Sequence, residues 1–191
     1  MEILKTRILA EGRNMGQGIL KIDSFLNHQL DVDLMEKVGE EIGSIFRSQR
    51  PDRILTAEVS GIVPAAMAAK SLENIPVVYA RKHKPITMSE PVFVEVAPSH
   101  TKGGEVNLMV SPEFLNPGDR VLIVDDFLAS GKTIEALARI VGNADATLVG
   151  IAVIVEKRFE GGRAALEHWG VPIASMVEIV KMDEKGIHFA A

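Results

Sequence analysis

An apolar run that ends in two acids constrains this chain more than any other segment. Residues 121–124 read Val-Leu-Ile-Val, and a continuous run of this kind is typical of a strand buried on both faces of a parallel sheet. Asp125 and Asp126 follow it directly. In open α/β sheets, ligands bind at the carboxyl ends of the strands. We therefore predict that the two carboxylates lie at the mouth of a binding site.

A small, hydroxylated turn comes next and leads into a helical pattern with apolar residues at Ile134, Leu137 and Val141. Backbone N–H groups at the start of a helix can converge on a phosphate, and the helix dipole favours the negative charge. A plain helix cap would explain this turn if it stood alone. Beside two acids it predicts a monophosphate site, which we call the phosphate loop: Ala129, Ser130, Gly131, Lys132 and Thr133.

The Gly-Lys-Thr end of this loop also occurs in the P-loop of nucleoside triphosphatases. That motif needs a second glycine five positions before Gly131, and Asp126 stands there. The P-loop interpretation is therefore excluded.

Apolar runs near residues 54, 78, 122 and 150 alternate with helical patterns such as that of residues 33–50. This alternation predicts an α/β fold, with a doubly wound, mainly parallel sheet and helices on both faces. The 191 residues are enough for one domain with a substantial core. We therefore expect a single domain over residues 1–191.

Composition narrows the classes of function. The net charge is −5, with acidic and basic residues interspersed, which argues against a nucleic-acid-binding surface. There is no cysteine, so no disulfide framework or thiolate metal site is expected. We find no apolar run of membrane-spanning length and no signal-peptide pattern, and expect a cytoplasmic protein without a membrane partner.

Two further segments predict anion binding. Ser60 and Gly61 lie between an expected strand and an expected helix, so their amides face a helix N-terminus. Arg81, Lys82 and Lys84 follow the apolar residues 76–80. A solvated basic turn is the usual explanation, but basic residues at the ligand-facing end of a strand in an acidic protein favour phosphate binding.

Residues 87–112 are rich in Pro, Gly, Ser and Thr and contain two short extended pieces. They predict a flexible hairpin of about residues 84–112, which we call the lid, able to close over a reactive sugar and exclude water. His100 lies within it. We expect this histidine to be a surface residue without a catalytic role.

Residues 121–133 resemble the phosphoribosyl pyrophosphate motif of the type I phosphoribosyltransferases. Four flanking segments extend the resemblance to the bacterial xanthine phosphoribosyltransferases over nearly the whole chain: 21–28 (Lys-Ile-Asp-Ser-Phe-Leu-Asn-His), 60–64 (Ser-Gly-Ile-Val-Pro), 80–84 (Ala-Arg-Lys-His-Lys) and 155–157 (Val-Glu-Lys). The resemblance implies the type I phosphoribosyltransferase fold, with an N-terminal hood over the nucleobase. We define the hood as residues 1–32, completed by the C-terminal strands.

The resemblance also implies the reaction and the role of each segment. The phosphoribosyl group would pass from phosphoribosyl pyrophosphate to xanthine in purine salvage. Asp125 and Asp126 would hold the ribose hydroxyls, the phosphate loop the 5′-phosphate, and the anion-binding residues Ser60, Gly61, Arg81, Lys82 and Lys84 the pyrophosphate. The residues assigned to the purine are Leu20, Asn27, Phe127, Lys157 and Phe159.

Magnesium would arrive with the pyrophosphate rather than in a cage of protein ligands, and the family forms homodimers. Hypoxanthine, guanine or adenine stay open as alternative bases. A regulator that binds the sugar phosphate without turnover also stays open, although the acidic chain lacks an additional DNA-binding domain.

Overall fold

The protein is described here by a computed structural model that covers residues 1–98 and 104–190. Its helices and strands follow each other along the chain in this order: α1 (Glu2–Glu11), β1 (Arg13–Asn14), β2 (Leu20–Lys21), α2 (Val32–Phe46), β3 (Arg53–Ala57), α3 (Ile62–Ser71), β4 (Val77–Ala80), β5 (Phe93–Pro98), β6 (Glu105–Val110), β7 (Arg120–Leu128), α4 (Lys132–Asn143), β8 (Thr147–Lys157), α5 (Gly162–Leu166), β9 (Ile173–Asp183) and β10 (Gly186–Phe189).

A six-stranded sheet in the order β10-β9-β8-β7-β3-β4 forms the centre of the molecule. Its neighbours pair in parallel except β9 and β10, which are antiparallel. Buried residues of α1, α2 and α3 pack on one face, and α4 with the β5–β6 hairpin packs on the other. The predicted doubly wound, mainly parallel sheet with helices on both faces is confirmed.

The central strand β7 is longer than its apolar run suggested. Residues 121–124 are fully buried, as predicted. The pairing with β8 continues through Asp125↔Val153 to Leu128↔Glu156, so the two acids lie within the strand rather than after it. Asp125 is only 6% exposed. The expectation that both acids stand outside the buried run was therefore wrong for Asp125, because the ladder to β8 carries on past it.

The N-terminal segment lies against the last strands of the sheet. The amino group of Met1 donates to the carbonyl oxygen of Met176 at 2.6 Å, and the Asn14 side chain donates to that of Asp183 at 3.1 Å. Residues Asp23–Asn27 form one π-helical turn that buries Phe25 and Leu26. These two apolar side chains anchor the turn, which presents Asn27.

The lid contains the antiparallel hairpin β5–β6, as predicted from its two extended pieces. Asn143 at the end of α4 donates to Glu95 at 2.9 Å, so the hairpin rests on that helix. The tip of the lid, including His100, lies outside the described residues.

Candidate active site

A cavity of 620 Å³ opens at the carboxyl ends of β3, β7 and β8, beneath the N-terminal segment. Most of the predicted site residues line it: Leu20, Asn27, Ser60, Gly61, Lys82, Asp125, Asp126, Phe127, Ala129, Ser130, Gly131, Lys132, Thr133 and Lys157. Three predicted residues do not: Arg81, Lys84 and Phe159. The strand ends therefore bring together residues that lie more than a hundred positions apart in the sequence, such as Leu20 and Lys157.

The paired acids differ in their surroundings. Burial, followed by the neighbouring charge of Asp126, raises the pKa of Asp125 well above its ordinary value. The backbone N–H of Asp126 donates to Asp125 Oδ1 at 3.0 Å and only partly offsets this effect. Asp126 is half-buried, and its Oδ1 accepts from the N–H of Phe127 at 2.9 Å. Both acids line the cavity, but burial disfavours ionisation of Asp125, whereas Asp126 is more exposed.

The phosphate loop turns directly into α4. Gly131 immediately precedes the helix with φ of +81°, a left-handed conformation that glycine adopts without steric cost. An ideal Cβ on Gly131 would lie 3.0 Å from the carbonyl oxygen of Gly162. The loop is therefore confined from behind by backbone, and its open side faces the cavity.

The turn at Ser60 and Gly61 stands at the start of α3. A Cβ on Gly61 would fall 2.2 Å from Thr56 Oγ1 and 3.0 Å from Asp125 Oδ1, so no larger residue fits without movement. The hydroxyl of Thr56 is buried and has no hydrogen-bond partner among the described residues. The peptide bond between Glu58 and Val59 is cis.

The basic residues after β4 do not act as one group. Lys82 lines the cavity, and its charge slightly counteracts the raised pKa of Asp125, which burial dominates. Arg81 instead donates to Glu58 at 2.8 Å, and Lys84 is ion-paired with Glu90. The sequence predicted that all three cations bind phosphate. In the structure, Arg81 and Lys84 are paired with Glu58 and Glu90 and lie outside the cavity lining.

At the other end of the cavity lie the residues assigned to the purine. Asn27 Nδ2 donates to Asp126 Oδ2 at 2.8 Å, which joins the N-terminal segment to the paired acids. Lys157 Nζ lies 5.3 Å from the centroid of the Phe127 ring and 3.4 Å from a carboxylate oxygen of Glu160. Phe159 is 44% exposed and outside the cavity lining, because a 3-10 turn at Arg158–Glu160 directs Glu160 inward in its place.

Sequence reasoning missed several residues of this site. Glu58 accepts hydrogen bonds from the Arg81 side chain and from the backbone N–H of Lys82 at 2.6 Å. Thr56 lies under Gly61, and Glu160 lines the cavity. A polar residue in an apolar strand, such as Thr56 in Ile-Leu-Thr-Ala, was the available signal. Glu58 and Glu160 carry no such signal, since acids near strand ends are usually solvated.

Comparison with known proteins agrees with this arrangement. Residues 28–187 match the family described as the phosphoribosyl transferase domain. The chain belongs to the phosphoribosyltransferase family.

Relatives that match the chain over nearly its full length include xanthine phosphoribosyltransferases. The enzyme of Deinococcus deserti is 46% identical over 97% of this chain and 96% of its own. That of Leuconostoc mesenteroides is 42% identical over 99% and 100%. Among solved structures, the adenine phosphoribosyltransferase of Rhodothermus marinus superposes with a TM-score of 0.74 at 26% identity, covering 93% of this chain and 99% of its own. Within its family, the chain groups with the xanthine phosphoribosyltransferases.

None of the helices in the described part of the chain is long and apolar enough to cross a membrane.

Proposed function

We propose that this protein transfers the 5-phosphoribosyl group of phosphoribosyl pyrophosphate to xanthine, giving xanthosine 5′-monophosphate and pyrophosphate in purine salvage. One observation carries the proposal. One cavity is lined by the paired acids Asp125 and Asp126, by the helix-terminal phosphate loop and by Lys157. Acceptors for a ribose diol, a cradle for a phosphate and a donor for a purine carbonyl thus meet in one site.

In the reaction, the bond from the anomeric carbon to the pyrophosphate oxygen breaks, and a bond from a purine nitrogen to that carbon forms. The sugar gains positive charge in the transition state, so nearby negative charge stabilises the transition state more than the ground state. Burial and Asp126 disfavour ionisation of Asp125 in the empty site. A cationic sugar would favour the ionised form of Asp125. The electrostatic stabilisation would therefore act in the transition state, where it lowers the barrier.

The leaving pyrophosphate would be held by Ser60, Gly61 and Lys82, which line the cavity beside the acids. Arg81 and Lys84 could join them only after leaving Glu58 and Glu90. The oxygen donors of Asp125 and Asp126 fit the ligand preference of Mg²⁺, which would enter with the substrate. When bound, the ion would neutralise charge on the departing pyrophosphate.

Base recognition would be divided between the two ends of the purine. Lys157 can donate to the 6-carbonyl, which xanthine shares with hypoxanthine and guanine but not with adenine. Asn27 can donate its side-chain N–H to the 2-carbonyl, which distinguishes xanthine from the other two. In the empty site that amide donates to Asp126, so binding of xanthine would exchange one acceptor for another. The backbone of Leu20 and the ring of Phe127 would enclose the base.

The proposal includes a homodimer that works in the cytoplasm. Two segments near the active site are candidates for the dimer contact, residues 62–64 and the basic residues 81–84. Pro64 is buried, however, and Ile62 and Val63 are half-buried, which leaves the basic residues 81–84 as the candidate contact. Light scattering at micromolar protein concentration should give twice the mass of the chain. A monomer would contradict the dimer but would not bear on the proposed reaction.

The reaction itself is tested by incubating the protein with xanthine, phosphoribosyl pyrophosphate and Mg²⁺ and identifying the products by chromatography and mass spectrometry. We expect xanthosine 5′-monophosphate and pyrophosphate in equal amounts. Binding of phosphoribosyl pyrophosphate without turnover, with any purine base, would instead indicate a regulator.

A further inference from the structure

An ion pair between buried Glu156 and half-buried Arg163 lies next to the segment that supports the phosphate loop, and the mechanism above does not use it. Glu156, near the end of β8, is 1% exposed. Arg163 Nε donates to its two carboxylate oxygens at 2.9 Å and 3.1 Å, and Arg163 Nη2 donates to Oε2 at 2.5 Å. The hydroxyl of Ser175 donates to the same oxygen at 2.5 Å. Although burial alone would raise the pKa of Glu156, the bonds from Arg163 and Ser175 hold it below its ordinary value.

Arg163 also ties its own turn to the neighbouring strand. Its Nη1 donates to the carbonyl oxygen of Ile173 at 3.0 Å, and its Nη2 donates to Ser175 at 3.1 Å. The guanidinium thus connects α5 to both β8 and β9. A planar fork with several fixed donors makes these contacts together, and a lysine could not.

The residue before Arg163 contacts the phosphate loop. The N–H of Gly162 donates to the carbonyl oxygen of Ala129 at 2.9 Å. A Cβ on Gly162 would fall 2.3 Å from that oxygen and 2.8 Å from the backbone nitrogen of Gly131. The backbone of Gly162 is therefore the rear support of the loop, and the ion pair fixes where that support stands.

We propose that Glu156 and Arg163 are positioning residues, whose ion pair holds Gly162 against the phosphate loop and so sets the loop geometry that binds the 5′-phosphate. Neither side chain lines the cavity, so both act through the loop backbone. The inference rests on the proposed function in one respect, namely that this loop holds the 5′-phosphate of phosphoribosyl pyrophosphate.

The first test is Arg163→Lys, which keeps the charge but loses the fork. We expect the KM for phosphoribosyl pyrophosphate to rise roughly tenfold or more, since small misplacements of binding groups have effects of this order. The KM for xanthine should rise less, within about threefold, because Gly162 contacts Ala129 and Gly131 of the phosphate loop and none of the residues assigned to the purine. The matched control is Arg47→Lys, where the arginine is exposed and its Nη2 donates to the carbonyl oxygen of Ser71 at 2.9 Å, away from the cavity lining. This control should leave both constants unchanged.

The second test reaches the loop directly. Gly162→Ala would push against Ala129 and Gly131 and should also raise the KM for phosphoribosyl pyrophosphate while the ion pair remains. Its control is Gly170→Ala, at a positive φ of +65° with nothing within 4 Å of the added carbon. That control should lower the melting temperature without changing the KM. Ser175→Ala, which removes one bond to Glu156, serves if Arg163→Lys does not fold, and it should shift the KM in the same direction.

Calorimetric titration of each folded variant with phosphoribosyl pyrophosphate, without a base, separates binding from turnover. Weaker binding in Arg163→Lys or Ser175→Ala, and in Gly162→Ala, would support the positioning role. Unchanged affinity in these variants, or an equal rise of both KM values, would overturn it. A wild-type protein that does not bind phosphoribosyl pyrophosphate would defeat the proposed function itself, a result that is distinct from either of these.

Discussion

Substitution of Gly131 by alanine tests the phosphate loop with the smallest possible change. The backbone at this residue has φ of +81°, and the new Cβ would lie 3.0 Å from the carbonyl oxygen and 3.2 Å from the Cα of Gly162. Both neighbours are backbone atoms, which cannot rotate away as a side chain can. The loop must therefore change its conformation or hold the alanine under strain.

The expected magnitude follows from that conformation. A left-handed backbone costs an L-residue roughly 1–2 kcal/mol relative to glycine. If the loop of the alanine variant relaxes without ligand and must return to the left-handed conformation to bind, this cost reduces the free energy of binding. Since about 1.4 kcal/mol corresponds to a factor of ten, the affinity for phosphoribosyl pyrophosphate should fall roughly 5- to 30-fold. The close contact with Gly162 adds to this loss, and the larger side chain of Gly131→Val should abolish binding.

The assay is calorimetric titration with phosphoribosyl pyrophosphate, together with thermal unfolding of each variant. Gly142→Ala is the matched control, because Gly142 belongs to the same helix, α4, and its added carbon would meet nothing within 4 Å. This control should stabilise the helix by roughly 0.8–1.0 kcal/mol and leave Kd unchanged. A Kd for Gly131→Ala within twofold of wild type would refute the assignment of this loop to the phosphate.

Three other predictions concern the acids and the base. Asp125→Asn should abolish turnover yet stabilise the empty protein at neutral pH. Because burial and Asp126 raise the pKa of Asp125, the wild type should lose stability as the pH rises above the ordinary carboxyl range. The variant should not show this loss when thermal unfolding is measured across pH. Asp126→Asn should lower kcat roughly 10²-fold while the protein still folds, and wild-type kinetics would contradict its role. Asn27→Ala should lower the preference for xanthine over hypoxanthine roughly tenfold or more, whereas an unchanged kcat/KM ratio would exclude Asn27 from reading the 2-carbonyl.

Alanine is a better replacement for Asn27 than aspartate, because aspartate would replace the hydrogen-bond donor by acceptors. Asn27 donates to Asp126 at 2.8 Å, so an aspartate there would set a second carboxylate against the first. The resulting repulsion would disturb the paired acids with every base and obscure the effect on selectivity.

The sheet and the turn that leads into α4 could be predicted because local pattern and tertiary structure agree there. Residues 121–124 are apolar without interruption since both faces of β7 are covered, and ligands bind at the carboxyl ends of such strands in open α/β sheets. Within the turn from Ala129 to Thr133, Gly131 has a φ of +81°, which favours glycine. Each of these constraints is visible within a short window of the chain.

What could not be predicted depends on partners far along the chain. Whether Arg81 faces the cavity is decided by Glu58, which lies on a different strand end. Asp125 is buried because of its pairing opposite Val153, not because of its immediate neighbours. The support of the phosphate loop by Gly162, and of Gly162 by Glu156 and Arg163, involves three separate segments. No periodicity or motif records such contacts.

Initial rates with a panel of bases test the central claim most directly. Pyrophosphate release would be followed at a fixed concentration of phosphoribosyl pyrophosphate and Mg²⁺, with xanthine, hypoxanthine, guanine and adenine each varied to obtain kcat/KM. Lys157 and Asn27 together predict the highest kcat/KM for xanthine, lower values for hypoxanthine and guanine, and the lowest for adenine, which offers neither carbonyl. A kcat/KM for adenine equal to or above that for xanthine would contradict the account.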